Sequence, residues 1–149
     1  MKVLMYVTDE GGLKSYAEFL VKAMKKQGFD ATLSNKTNYN DFDVFHVIFD
    51  HSLFHPFGLG IIPKLIRLKL NKKKIVLTFG TIPNKKEIYT RNKFFTLIKK
   101  IILPISTKLV VFFSDKIVAL IYGMKKTLVV DYKIDKKKIK IIEIGHGIN

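Results

Sequence analysis

A Rossmann-like, doubly wound parallel sheet of about six strands, with helices on both faces, is the α/β fold class the sequence predicts. Three observations predict it. Apolar runs of strand length recur along the whole 149-residue chain; stretches with helical spacing of apolar residues alternate with them; and glycine or polar corners follow the runs. Runs without polar alternation mark strands covered on both faces, and their alternation with helices implies right-handed crossovers in a parallel sheet.

KVLMYV, residues 2–7, is the first such run. Over residues 13–27 the period changes: Leu13, Tyr16, Ala17, Leu20 and Met24 share one helical face, and Lys14, Glu18, Lys22 and Lys26 the other. Gly28 follows as a C-cap. Residues 30–34 (DATLS), 44–49 (VFHVIF), 74–79 (KIVLTF), 116–121 (KIVALI) and 138–144 (KIKIIEI) supply the second to sixth strands. Helices are expected near 58–70, over 91–114 with a kink around Pro104, and near 123–132. The lysine triplets 72–74 and 136–138 simply precede strands, and no linker, repeat or low-complexity tract divides the chain. One domain over residues 1–149 is therefore expected.

Hydrophobic residues at 48% against 26% charged place the chain with folded proteins. There is no cysteine, which excludes disulfides and thiolate metal sites, and His46, His51, His55 and His146 do not have zinc-ligand spacing. No metal or cofactor is predicted. The chain opens directly on a strand, which argues against a signal peptide and for a cytoplasmic location. Lys108, Asp115 and Lys116 break the apolar stretch from Ile101 to Met124, well short of the roughly 18–20 apolar residues a bilayer span needs.

The net charge of +15 is unevenly distributed: residues 1–60 carry −1 and residues 61–149 carry +16. Such an excess suits a phosphate-bearing partner, whether nucleic acid, anionic lipid or a nucleotide, and equally suits solvated helix faces. Only Arg67 and Arg91 are arginines, which weighs against sequence-specific nucleic-acid binding.

In an open parallel sheet ligands bind beyond the carboxyl ends of the strands. TDEGGLKSY follows the first run, and there Gly11 and Gly12 fit either a plain tight turn or a close backbone approach to an anion at a helix N-terminus. Neither G-x-G-x-x-G nor G-x-x-x-x-G-K-[ST] occurs, so a flavodoxin-like or NAD-binding domain would lack its phosphate loop. Asp50 and His51 follow the third run, Gly80 and Thr81 the fourth, and His146 stands between two glycines after the sixth. Asp50 and His51 read either as solvated loop residues or as site residues. His46, between Phe45 and Val47, reads either as a core histidine or as a functional one.

Taken in order, the strand, Gly-Gly turn and helix ending KKQGFDATL, then DFDVFHVIF, KIVLTFGT, SDKIVAL and KIKIIEIGHGIN, resemble the N-terminal domain of GT-B glycosyltransferases of family 4. That retaining group includes bacterial phosphatidylinositol mannosyltransferases and sucrose synthases. The resemblance runs over essentially the whole chain. It implies that the amides of Gly11 and Gly12 lie against the donor's diphosphate. His46 matches the first histidine of the family's His-x-His, whose second is Ile48 here. Thr78, Phe79 and Thr81 match the Thr-Phe-His-Thr turn, with Gly80 in place of its histidine, and Ile121 stands where the family has serine. Gly145, His146, Gly147, Ile148 and Asn149 match the segment that crosses into a second domain.

The resemblance thus implies the acceptor-side half of a retaining, metal-independent glycosyltransferase. Its donor would be a UDP-, GDP- or ADP-sugar, held mostly by a C-terminal domain lying beyond the crossover or supplied as a separate subunit. The acceptor would be a lipid or a glycan. Gly80 offers nothing to position or polarise a reacting group, so the half is expected to be inactive by itself, with Asp50 or His51 as partial substitutes. A bare inter-domain face of roughly 600–1,500 Å² would also allow a homodimer through the cleft.

Two helical segments combine apolar residues with cations: 58–70, with Lys64 and Arg67, and 91–109, with Arg91, Lys93, Lys99, Lys100 and Lys108 among Phe94, Phe95, Leu97, Ile98, Ile101, Ile102 and Leu103. Such a surface can lie peripherally on the inner face of an anionic membrane, each cation adding about 1 kcal/mol. Alternatively the apolar side packs on the sheet and the lysines are only solvated. A functional rival of another class is a non-catalytic module holding anionic membrane or another polyanion, with affinity falling steeply with salt.

Overall fold

The structure, a computed structural model, describes residues 1–8, 12–35, 41–83 and 92–142. Its strands are β1 (Lys2–Tyr6), β2 (Asp30–Ser34), β3 (Val44–Phe49), β4 (Lys74–Phe79), β5 (Lys116–Ala119) and β6 (Ile139–Ile141). They form one sheet in the order β2-β1-β3-β4-β5-β6, and every neighbouring pair is parallel. Helices α1 (Gly12–Lys26), α2 (Ile62–Leu70), α3 (Lys93–Phe113) and α4 (Tyr122–Val130) lie between the strands in sequence. From β1 the chain moves through α1 to the β2 edge, returns past β1 to β3, and then proceeds strand by strand to the other edge. The strand order therefore reverses between β1 and β3.

Successive side chains of a strand point to opposite faces, so each run feeds two cores. Val3, Met5, Val7 and Ile48 pack with Ala17 and Val21 of α1 on one side. Leu4, Phe45, Val47, Phe49 and Leu77 point to the other, where Leu65 and Leu68 of α2, Val110 and Val111 of α3, and Leu128 of α4 cover them. Helices on both faces make the sheet doubly wound, as the runs predict.

Local chemistry sets the ends of the elements. Gly28 has φ 84° and Phe29 N–H bonds to Met24 O at 3.1 Å, which closes α1 as a glycine C-cap does. The predicted helix over 58–70 is a 3-10 turn, Leu59–Ile61, followed by α2. Asn92 caps α3, its Oδ1 accepting the Phe94 N–H at 2.9 Å, and the helix continues through Pro104. β5 stops at Ala119, short of the predicted 121, because Ile121 becomes the N-cap of α4 with extended backbone (φ −141°, ψ 156°). β6 starts after a 3-10 turn at Lys136–Lys138 that Asp135 caps; residues 143 and 144 of the predicted strand lie outside the described residues. At the amino end of the sheet, Asp115 Oδ2 accepts both Lys69 Nζ and the Ile75 N–H at 2.7 Å, tying α2 to β4 and β5. Partial burial alone would raise that carboxyl, but those two bonds and the Lys69 and Lys74 charges outweigh it and hold its pKa below the usual range.

The loop after β3 folds back across the end of its own strand. Phe57 and Gly58 there have left-handed backbone, φ 53° and 81°. A Cβ on Gly58 would stand 2.7 Å from Phe49 Cζ, 3.1 Å from His51 Cδ2 and 3.2 Å from Ser106 Oγ. Only glycine meets both the dihedral and the space.

Two substitutions test these local readings in opposite directions. Gly58→Ala is expected to destabilise the fold by on the order of 1–3 kcal/mol, seen as a lower urea midpoint at unchanged slope. Ile121 is an exposed N-cap with no side-chain bond to the helix. Ile121→Ser is therefore expected to stabilise by about 0.5–2 kcal/mol in the same assay; an unchanged or lowered midpoint would contradict the cap assignment.

Candidate functional site

Reversal of strand order opens a crevice at the carboxyl ends of β1 and β3, and the polar residues that follow those strands gather there. Asp50, just past β3, holds its own loop and the next one. Its Oδ1 accepts the Ser52 N–H at 2.8 Å and the Ser52 hydroxyl at 2.6 Å, and its Oδ2 accepts the Thr81 hydroxyl at 2.5 Å. Gly80, just past β4, donates its N–H to Phe49 O at 2.8 Å and so extends the ladder by one bond. A Cβ built on Gly80 would lie 3.0 Å from both methyls of Leu13 and 3.6 Å from Asp50 Oδ2. Leu13, in the first turn of α1, thus crosses the space into which a side chain at position 80 would project. Its neighbour Gly12 has no atom within 4 Å of where its Cβ would be.

His51 is buried, only 7% exposed, and is not the solvated loop residue that one sequence reading allows. Its ring meets Phe49 edge-on at 4.8 Å, and its Nε2 lies 2.9 Å from Thr107 Oγ1 of α3. The Thr107 hydroxyl donates to Leu103 O at 2.8 Å. With the Thr107 proton assigned to Leu103 O, His51 donates through Nε2 and the lone pair falls on Nδ1. Burial holds the His51 pKa down at about 4, with the Asp50 charge opposing it in part, so the ring is neutral at pH 7. Asp50 is the converse case. Partial burial would raise its carboxyl, but the bonds from Ser52 and Thr81 and the neighbouring His51 outweigh it, and Asp50 is ionised.

Among the described residues, two buried side-chain polar atoms have no hydrogen-bond partner: His51 Nδ1, after β3, and Thr8 Oγ1, after β1. Both belong to the neighbouring strand ends where the order reverses. Asp50, His51, Ser52, His55, Lys99 and Leu103 help line a cavity of about 350 Å³ between the β3 loop and α3, and Thr8 is not part of its wall. No group of three His, Asp or Glu side chains among the described residues is placed to hold a metal ion.

The structure thus brings Gly12, Asp50, His51, Gly80 and Thr81 to one rim. His46 it sets apart. His46 is the third residue of β3, paired in register with Val76, and its Nε2 lies 2.7 Å from Thr78 Oγ1 of β4. Burial lowers its pKa to about 4, and its partner is a buried threonine inside the sheet. Gly11 and His146 lie outside the described residues. Of the cations expected on one surface, Lys64 sits 3.8 Å over the Tyr6 ring, and Lys99 lines the cavity. Arg67, Lys93, Lys100 and Lys108 are exposed, while Arg91 lies outside the described residues. Sequence reasoning did not single out Thr8, Leu13 or Thr107. Thr8 had a usable signal, being the first polar residue after the first apolar run.

The two neutral histidines make stability depend on pH. Their folded pKa values of about 4 lie below the ordinary 6.5, so on acidification the unfolded chain binds protons first. Stability from this source is complete above pH 6.5 and lost as the pH falls toward 4, by on the order of 1.4 kcal/mol per pH unit for each histidine. Urea midpoints measured across this window are expected to fall accordingly, and His51→Gln is expected to remove about half of the slope. A flat profile would mean that the imidazoles are not buried neutral.

Neither a protein-family model nor a curated protein matches the chain.

Proposed function

We propose that this domain is the acceptor-binding lobe of a retaining nucleotide-sugar glycosyltransferase, inert in sugar transfer until a donor-binding lobe, in the same chain or a separate subunit, faces it. The observation that carries the reading is the set of acceptor atoms at the strand reversal: the Asp50 carboxylate, the lone pair of His51 Nδ1 and the Thr8 hydroxyl. A buried acceptor without a partner costs about 1–3 kcal/mol, which a ligand hydroxyl recovers on binding. Sugar or polyol hydroxyls supply such donors in number, and a cavity of about 350 Å³ is of the size that takes one ring.

Supporting features surround it. α1 begins at Gly12 with no acidic residue in its first turn, which leaves its N-terminal amides compatible with a diphosphate. Leu13 fills the position next to Gly80 that the resembled family gives to a histidine. The lobe therefore offers binding groups and no side chain at that point to act on a reacting centre.

Calorimetric titration separates the parts of this reading. The 149-residue chain is expected to bind simple glycosides and to lose about ten-fold or more of that affinity in Asp50→Ala, a charged hydrogen-bond partner being worth about 1.5–3 kcal/mol. UDP-, GDP- and ADP-sugars are expected to bind tightly only when a candidate donor lobe is added. Tight donor binding with transfer by the chain alone would overturn the half-site reading, and a folded chain indifferent to all glycosides would overturn the acceptor reading.

A further inference from the structure

Lys99 is the cation of the cavity wall that hydroxyl binding alone does not use. On α3 it stands one turn before Leu103 and two turns, roughly 12 Å, before Thr107, so the three follow one side of the helix. Lys99 and Leu103 line the cavity, and Thr107 holds His51. Other partly buried lysines have an oxygen within reach: Lys69 bonds Asp115 Oδ2, Lys73 bonds Phe42 O and Lys138 bonds Val111 O. Lys99 is partly buried too, and among the described residues it has neither a hydrogen-bond nor an ion-pair partner. Asp50, on the same wall, does not neutralise it, because its carboxylate is engaged by Ser52 and Thr81. The cavity thus carries two charges of opposite sign that do not meet, with the neutral His51 ring beside them.

A neutral ring entering this space would take water from the ammonium and give it no counter-charge, which costs binding energy. A ligand that brings its own anion removes that cost. Charge decides which anion fits. One ammonium matches one carboxylate, whereas a phosphate ester of about −1.5 to −2 at pH 7 exceeds it and stands nearer to repulsion by Asp50. We infer that the cavity takes a sugar acid, a ring whose hydroxyls donate to His51 Nδ1 and Asp50 and whose carboxylate accepts from Lys99. Pro56, Phe57 and Leu103 add the apolar surface against which a ring face can lie. The inference rests on the acceptor reading and narrows its substrate class.

Methyl glucoside, methyl glucuronoside and methyl glucoside 6-phosphate differ at one carbon and are the probes, titrated calorimetrically into the 149-residue chain without nucleotide. The glucuronoside is expected to bind about ten-fold more tightly than the glucoside, and more tightly than the phosphate. In Lys99→Gln that preference for the carboxylate is expected to vanish, and in Lys99→Glu to pass to methyl 6-amino-6-deoxyglucoside, which carries a cation at the same carbon. Equal affinities for the glucoside and the glucuronoside would overturn the inference, as would a preference that survives Lys99→Gln. Tighter binding of the phosphate would overturn the assignment of a carboxylate. In all three cases glycosides still bind, so the acceptor reading stands; indifference to every glycoside would overturn that reading and the sugar acid with it.

Discussion

The centres of β1, β3 and β4 are buried on both faces: Leu4, Met5, Val47, Ile48 and Leu77 are all at most 1% exposed. A polar group inside that slab must be satisfied within it or pay the cost of desolvation. His46 and Thr78 show the internal solution, bonding each other across the β3–β4 ladder. Every other strong polar group of these strands is displaced to their ends. At the amino end Asp115 closes its bonds on Lys69 and Ile75. At the carboxyl end the order of strands reverses, the connections diverge to opposite sides, and Thr8 Oγ1 and His51 Nδ1 are left unpaired. The two ends of the sheet thus differ: polar groups are paired at the first, and two buried polar atoms are unpaired at the second.

Legibility from sequence follows the same division. The inner strands are nearly continuous apolar words and so were readable, the edge strands β2 and β6 were read as shorter mixed runs beside them, and the all-parallel sheet follows from the helices between them. Their ends were less so. Residue 121 belongs to the helix after β5 because an extended N-cap and a strand end look alike in sequence. Asp50, His51, Gly80 and Thr81 were reachable by the rule that function follows the carboxyl ends of strands. Thr107 and Leu13 were not, since they arrive on helices and their part depends on which helical face turns inward. α3 hid that choice. Its apolar residues occupy both sides of the helical period, so the pattern did not say which of them pack on the sheet until the structure placed Thr107, Val110 and Val111 inside and Phe94 outside.

Gly80 and Leu13 form a matched pair across two elements. With both Leu13 methyls 3.0 Å from the Cβ that residue 80 lacks, the Leu13 side chain lies tighter against the end of β4 than ordinary van der Waals contact with a Cβ. Leu13 would have to give by a few tenths of an ångström to admit a side chain at position 80. Any residue with a longer side chain would push on Leu13, and through it on the turn that carries Gly12. The crevice wall formed by β4 and the helix end formed by α1 are in this way one adjusted unit.

α3 has two unlike sides. On its inner side the Thr107 hydroxyl fixes the tautomer of His51, and Lys99 and Leu103 close the cavity; on its outer side stand exposed apolar residues. Close-packed helices move as rigid bodies more readily than they deform. Any shift of α3 would therefore carry Thr107, Lys99 and Leu103 together, and with them the partner of His51 and one wall of the cavity. Thr107 faces inward to His51 in company with Ser106, Val110 and Val111, while Phe94, Ile101, Ile105 and Phe112 share the outer side with Lys93, Lys100 and Lys108, so both polar and apolar residues stand on each side of the helix.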